Sequence, residues 1–255
     1  MLKVTVNEME LAYERRGRGK PLILLHGHPL DHTIWEPLVP LLEGDFDLLL
    51  PDLRGFGQSA APRTSYLLTD MAADILALMD ALQLDRAVLA GHSMGGYIAL
   101  AFARAWPERL AGLGLVASHV FADPPERRAV RYRDAAEIET RGPGLLAETF
   151  PPKLTPDPRL QARLGEIIAR QDAWGVAQSL RAMAERPDAS TWLTDFDFPI
   201  LMVHGAADSL LLLERARQAK ALAPKIHLVE IADVAHMPMM EAPEATAEAL
   251  RFFKK

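Results

Sequence analysis

The sequence predicts an α/β fold with a mostly parallel central sheet flanked by helices. Short, almost continuous apolar runs recur along the 255-residue chain, and runs of this kind suit parallel strands that are buried on both faces. Helical patterns lie between several runs, which indicates an open sheet with right-handed crossovers. Ligands of such sheets bind beyond the carboxyl ends of the strands. The runs are Leu22–Leu25, Asp47–Leu50, Ala87–Ala90, Leu113–Ala117, Ile200–Val203 and His227–Ile231.

The remaining elements follow from local patterns. Alternating apolar residues over 3–13 predict an opening hairpin that turns at Asn7 and Glu8. Apolar stripes at helical spacing predict helices over Asp70–Leu82, Tyr97–Ala105 and Ala245–Phe253.

One segment, residues 120–192, has a different character. It has helical patterns joined by proline pairs, with Leu160, Leu164, Ile167, Ile168 and Trp174 at helical spacing. We expect a helical cap inserted between two strands, too short to be an independent domain. Residues 1–119 and 193–255 would then form the core.

The bulk composition restricts the function classes. A net charge of −6 argues against binding to nucleic acid or to anionic membranes, because both attract proteins with clustered Lys and Arg side chains. Arg127, Arg128, Arg131 and Arg133 do cluster, and we interpret them as one solvated helix face rather than a binding patch. The chain has no cysteine, which excludes disulfides and a cysteine nucleophile. With no signal-like or membrane-spanning run, we expect a cytoplasmic protein.

The strongest chemical signal is the segment Gly91-His92-Ser93-Met94-Gly95-Gly96. It follows a predicted strand and precedes a helical pattern, the context in which Gly-x-Ser-x-Gly carries a nucleophilic serine. The glycines leave room for strand and helix to approach each other around a strained turn. A capping serine in an ordinary turn is the alternative.

A serine hydroxyl needs a base, and eight histidines compete for that role. His236 is favoured because it lies in a late loop, after the last predicted strand and before the final helix. His26, His28, His92 and His204 are interpreted as hydrogen-bonded loop histidines.

The base in turn needs an acid to orient it. Asp208 directly follows a predicted strand and completes the chain order Ser, Asp, His that is expected for this fold. Asp233 and Asp123 remain rivals. The backbone N–H groups of His28 and Met94 are the candidate oxyanion donors.

With these residues in hand, the chain resembles the α/β-hydrolase superfamily over nearly its whole length. The matching blocks are His26 to Pro29, Asp52 to Ser59, Gly91 to Gly96, Trp106 to Arg109, His204 to Asp208, and His236. The resemblance implies the α/β-hydrolase fold, Ser93 as nucleophile, His236 as base and Asp208 as acid. It also implies a cap between the sixth and seventh strands.

The resemblance is strongest to small esterases and to 3-oxoadipate enol-lactonase. Serine at position 93 argues against dehalogenases and epoxide hydrolases, because those enzymes attack through an aspartate. C–C bond hydrolases usually have an arginine where this chain has Ala206, which makes that class a less favoured alternative. We therefore expect hydrolysis of a small ester or lactone with no cofactor and no metal. C–C bond cleavage, perhydrolysis and a non-catalytic ligand receptor remain alternatives. His119, Phe56, Trp174 and Met237 are candidates for the substrate pocket, and the oligomeric state cannot be read from the sequence.

Overall fold

The computed structural model describes residues 1–254; Lys255, the last residue of the predicted core range, lies outside them. Eight strands form one sheet in the order β1-β2-β4-β3-β5-β6-β7-β8. β1 and β2 pair antiparallel, as do β2 and β4, and every other neighbouring pair is parallel. The strands are β1 (Leu2–Val6), β2 (Met9–Gly17), β3 (Lys20–Leu25), β4 (Phe46–Pro51), β5 (Ala87–His92), β6 (Leu110–Val116), β7 (Ile200–Gly205) and β8 (His227–Ile231).

Helices cover both faces of this sheet. They are α1 (Val39–Leu42), α2 (Leu68–Ala81), α3 (Met94–Ala105), α4 (Pro125–Arg141), α5 (Gly144–Thr149), α6 (Pro151–Leu154), α7 (Pro158–Ala169), α8 (Ala173–Ala184), α9 (Leu213–Leu222), α10 (Pro238–Glu241) and α11 (Pro243–Leu250). Short 3₁₀ helices span His32–Leu38, Pro107–Arg109 and Arg251–Lys254.

The pattern of β3 shows why both faces are covered. Leu22 and Leu24 pack into one apolar cluster, and Ile23 and Leu25 pack into another on the opposite face. Because successive side chains of a strand point to opposite faces, an all-apolar strand requires helices on each side. The prediction of a mostly parallel sheet flanked by helices is confirmed.

The segment between β6 and β7 contains five helices, α4 to α8, and α4 packs against α8. Pro125, Pro151 and Pro158 each occupy the first position of a helix. Proline fits there because its missing N–H would have no intrahelical partner. The proline joints of the sequence therefore mark helix starts.

The helix bounds differ slightly from the predicted ones. α3 begins at Met94, three residues before the predicted start, and the final predicted helix divides into α11 and a 3₁₀ turn. No helix among residues 1–254 has the length and apolar character needed to cross a membrane.

Candidate active site

Ser93 lies on a tight turn between β5 and α3. Its backbone has φ 50° and ψ −111°, a conformation that a non-glycine residue rarely adopts. Three hydrogen bonds hold the turn: the Ser93 N–H donates to the Val116 carbonyl (2.9 Å), and the Ser93 carbonyl accepts from the Ser118 hydroxyl (2.8 Å) and the Gly96 N–H (3.0 Å). The Ser93 side chain is half-buried at the carboxyl edge of the sheet.

The glycines of the turn are required by close backbone approach. A Cβ atom on Gly91 would lie 2.1 Å from the carbonyl carbon of Gly95, and one on Gly95 would lie 2.4 Å from the carbonyl oxygen of Leu25. No side chain fits at such distances, so the turn packs against the end of β3 only with glycine at these positions.

Asp208 and His236 meet across two loops, after β7 and after β8. The His236 Nδ1 atom lies 2.7 Å from Asp208 Oδ2, and the other carboxylate oxygen accepts the N–H groups of Leu210 and Leu211, each at 2.9 Å. Both side chains are buried. Burial opposes ionisation of Asp208, but the His236 ring and the Leu211 amide outweigh it and lower the pKa of the carboxyl.

His92, the neighbour of Ser93, holds the His236 loop in place. Its Nε2 lies 2.9 Å from the His236 carbonyl oxygen, and the two rings are 4.9 Å apart. Because a carbonyl only accepts, Nε2 carries the proton, and Nδ1 is buried without a partner among residues 1–254. Complete burial, together with the nearby His236 ring, holds the pKa of His92 well below its ordinary value, so this ring is neutral.

His204, near the end of β7, holds the Asp208 loop in a similar way. Its Nε2 donates to the Leu211 carbonyl at 2.6 Å, beside the amide that binds Asp208. His92 and His204 are hydrogen-bonded as expected, but they lie at the carboxyl ends of β5 and β7 rather than in loops. The sequence does not indicate that these two rings support the loops of Asp208 and His236.

The loop of His236 lies beside the serine turn, because it is bonded to the ring of His92, the residue before Ser93; the side chains of Ser93 and His236 are not hydrogen-bonded to each other. Within residues 1–254 neither the Ser93 hydroxyl nor His236 Nε2 has a hydrogen-bond partner. Such contacts are often long before a substrate binds.

The loop after β3 supplies His28, and α3 begins with Met94. Neither backbone N–H donates to a group within the described chain, so both are available to a ligand. The His28 ring donates from Nδ1 to the Ser179 hydroxyl (2.8 Å), which itself donates to the Val176 carbonyl. Burial and the nearby charges of Arg131 and Arg127 lower the pKa of His28 to about 3.

The rival acids are placed elsewhere. Asp123 accepts from Arg186 at 2.7 Å and from Arg131, and these two guanidinium groups lower its pKa to about 2 although burial opposes the shift. Asp233 is exposed. Neither has a hydrogen bond with His236 in the described chain.

A cluster of Asp31, His32 and Asp52 is the one group among residues 1–254 with the spacing of metal ligands. Its polar atoms already have hydrogen-bond partners in the protein: Asp52 accepts from the backbone and ring of His32, and Asp31 accepts from Arg170 at 2.7 Å. These contacts fit a network that fixes loops rather than a metal centre.

The four candidate pocket residues are dispersed. His119 lines a cavity of about 190 Å³ with Tyr97, whose hydroxyl is 3.2 Å from His119 Nε2. Phe56 is buried against the rings of His26 and His28. Trp174 donates its ring N–H to the Pro62 carbonyl and lines neither this cavity nor the one described next.

Met237, the fourth candidate, is fully buried in a core cluster. Its position beside His236 in the sequence therefore reflects packing beneath the loop, and it too lines neither cavity.

A second cavity, of about 260 Å³, opens beside His28; we call it the basic cavity. Leu210, two residues after Asp208, also lines it, and the helices between β6 and β7 supply most of its other walls. It is lined by His28, Arg127, Arg131, Asp134, Glu137, Ile138, Arg141, Gly142, Leu145, Leu146, Thr149, Phe150, Lys153, Leu180 and Leu210.

Comparison with known proteins agrees with this fold. A model of the alpha/beta hydrolase family matches residues 22–249. A pimeloyl-[acyl-carrier protein] methyl ester esterase of Edwardsiella ictaluri is 32% identical, over 92% of this chain and 93% of that protein.

Two solved structures are similar over almost the whole chain. A thermophilic esterase from Thermogutta terrifontis, in its malate-bound form, has a TM-score of 0.94 and 36% identity, and covers 99% of this chain and 97% of its own. The enol-lactonase from Burkholderia xenovorans LB400 has a TM-score of 0.90 and 26% identity, and covers 99% of each chain.

A mostly parallel sheet with a strained serine turn at its carboxyl edge defines the class as an α/β hydrolase. The chain belongs to the alpha/beta hydrolase family, as the sequence resemblance predicts, and has the fold of its esterase and enol-lactonase relatives.

Proposed function

We propose that this hydrolase cleaves small carboxylic esters through Ser93, His236 and Asp208, with an acyl-enzyme intermediate. One observation carries the proposal: His236, bonded to Asp208 at 2.7 Å, is tied through its carbonyl to the ring of His92, next to the strained turn that presents Ser93. A hydroxyl, an imidazole and a carboxylate in this relation form a nucleophile, a base and an orienting acid.

The hydrogen bond to Asp208 determines which nitrogen acts as the base. Asp208, whose pKa is lowered, is ionised and accepts from His236 Nδ1–H. The lone pair of His236 is then on Nε2, which has no protein partner within residues 1–254 and takes the Ser93 proton. The Asp208 carboxylate stabilises the imidazolium that results.

The reaction proceeds in two halves. The Ser93 oxygen attacks the ester carbonyl, and His236 then protonates the leaving alcohol as the carbonyl–oxygen bond breaks. In the second half, His236 takes a proton from water, the water oxygen attacks the acyl-enzyme, and the proton returns to Ser93 as the acid leaves.

We assign the oxyanion to the backbone N–H groups of His28 and Met94. Both are without a protein partner in the described chain, and Met94 is at the N-terminus of α3, where the helix dipole favours negative charge. Donors of this kind are worth roughly 3–4 kcal/mol of transition-state stabilisation each. Residues 120–192 would act as the cap above them.

Lactone opening is the second candidate function. The similarity to the Burkholderia enol-lactonase over 99% of both chains supports it. The chemistry is the same, except that the leaving alcohol stays attached to the acyl group.

The proposal is tested by stopped-flow turnover of 4-nitrophenyl acetate by wild type and by Ser93→Ala. We expect multiple turnovers with a product burst for wild type, and a kcat lower by on the order of 10⁴-fold for the variant. Ser65→Ala, at an exposed serine of the loop before α2, is the matched control and should be unchanged.

Equal turnover by Ser93→Ala would remove Ser93 from the chemistry. Binding of esters without turnover by wild type would favour a ligand receptor instead.

A further inference from the structure

Arg127, on the wall of the basic cavity, is a cation with no ion-pair partner in the described chain. It lies in the first turn of α4, and its guanidinium has no hydrogen bond or ion pair with any residue of the described chain. Although Arg127 as a whole is exposed, partial burial of its guanidinium, and after it the charge of Arg131, lowers its pKa, while Asp123 and Asp134 oppose the shift. The guanidinium groups of Arg127 and Arg131 repel each other, and an anion bound beside Arg127 would reduce this repulsion.

The other charged residues of this cavity leave its excess positive charge in place. Arg131 is buried and bonded to Asp123, so the expectation that it belongs to a solvated helix face is wrong. Arg141 approaches Glu137 at 3.4 Å, and Lys153 has no side-chain partner among residues 1–254. Four cations and two carboxylates, Asp134 and Glu137, line the cavity, and Arg127 and Lys153 have no ion-pair partner in the described chain, so an excess of positive charge remains.

The basic cavity adjoins the proposed chemistry through two residues. His28, whose N–H is one proposed oxyanion donor, lines it, and so does Leu210, whose N–H binds Asp208. Arg127 lines the same cavity as His28, and its charge acts on the His28 ring, so the two side chains are near each other. The His28 ring cannot serve as a cation there, since its pKa of about 3 leaves it neutral.

We infer that the substrates are small esters or lactones that carry a second, ionised carboxylate, and that Arg127 binds this carboxylate. This inference rests on the proposed function. The planar guanidinium suits a carboxylate because it offers two parallel N–H donors. A monoanion is favoured over a phosphate dianion because Asp134 and Glu137 line the same cavity and repel the larger charge more strongly.

The test compares two methyl esters of nearly equal shape at pH 8. One is monomethyl glutarate, with a free carboxylate, and the other is its terminal carboxamide, which is neutral. Methanol release gives kcat/KM for wild type, Arg127→Gln and Arg127→Lys. Arg133→Gln, on the same helix but outside the cavity, is the matched control.

We expect wild type to prefer the carboxylate ester. Arg127→Gln should lower kcat/KM for that ester by about 10- to 100-fold, the loss expected for one charge-assisted hydrogen bond, and change the neutral ester by less than about 2-fold. Arg127→Lys should retain part of the preference, and Arg133→Gln all of it.

The outcomes separate this inference from the proposed function. Ser93-dependent hydrolysis of the neutral ester with no preference for the carboxylate would overturn the inference alone. A preference that survives in Arg127→Gln would overturn the assignment of Arg127. Ser93-dependent turnover of 4-nitrophenyl acetate with hydrolysis of neither methyl ester would overturn the inference and leave the proposed function, whereas turnover of none of the three esters would overturn both.

Discussion

The Nδ1 atom of His236 lies 2.7 Å from Oδ2 of Asp208, although the residues are 28 positions apart in the chain. The same carboxylate accepts two backbone N–H groups through its other oxygen. Its orientation is therefore fixed from both sides, and the His236 ring is held with Nε2 free.

Asp208→Asn should lower kcat by on the order of 10⁴-fold while the protein stays folded. The amide keeps the shape of the carboxylate but not its charge, so it neither fixes the correct tautomer of His236 nor stabilises the imidazolium. Ester turnover and circular dichroism of the purified variant check this expectation.

Asp233→Asn is the matched control, because Asp233 is the rival acid in the His236 loop and is exposed. Its backbone has φ 58°, a conformation that asparagine tolerates. A large loss of activity in this variant, with little loss in Asp208→Asn, would assign the acid to Asp233 instead.

Gly95→Ala should reduce both stability and turnover. The added methyl group would meet the Leu25 carbonyl at 2.4 Å, so the first turn of α3 must move away from β3 and carry Ser93 and the Met94 amide with it. We expect a loss of about 1–3 kcal/mol in the free energy of unfolding, measured in urea.

The control for this change is Gly144→Ala, at the first residue of α5. A Cβ atom there would meet nothing within 4 Å, so stability should change by less than about 0.5 kcal/mol. Equal effects of the two substitutions would contradict the packing explanation.

His119 should contribute to loss of stability in mild acid. Burial, with the charge of Arg186, lowers its pKa to about 3, whereas an unfolded histidine titrates near 6.5. Between these values the unfolded chain binds a proton that the folded protein does not, so the free energy of unfolding falls as the pH falls.

His119→Asn removes that proton difference and keeps an acceptor for the Phe121 N–H. The free energy of unfolding should then depend less steeply on pH between 6 and 4, by on the order of 1 kcal/mol per pH unit. An unchanged slope would show that His119 is not the neutral, buried group described above.

Much of the fold was predictable because its signals are local. A strand that is apolar on both faces, such as Ile200–Val203, can only be buried between two layers of helices, and β7 includes all four residues. The serine turn was predictable for a similar reason, since its glycines and its strand–helix context are contiguous.

The contacts between segments that are far apart in the chain were not predictable. His92 and His236 are 144 residues apart, and only the packed sheet brings the His92 ring to the His236 carbonyl. The spacing of Trp174 indicates a helix, but not that its ring N–H faces Pro62. Likewise, the arginine cluster on α4 looks uniform in sequence, yet Arg131 is buried and Arg133 is exposed.

The central claim, a Ser93 hydroxyl activated by His236, is tested most directly by fluorophosphonate labelling followed by peptide mass mapping. We predict one adduct per chain, on Ser93, which is absent in Ser93→Ala, strongly slowed in His236→Ala and unchanged in Ser65→Ala. A folded wild-type protein that stays unlabelled, or is labelled at another residue, would contradict the account.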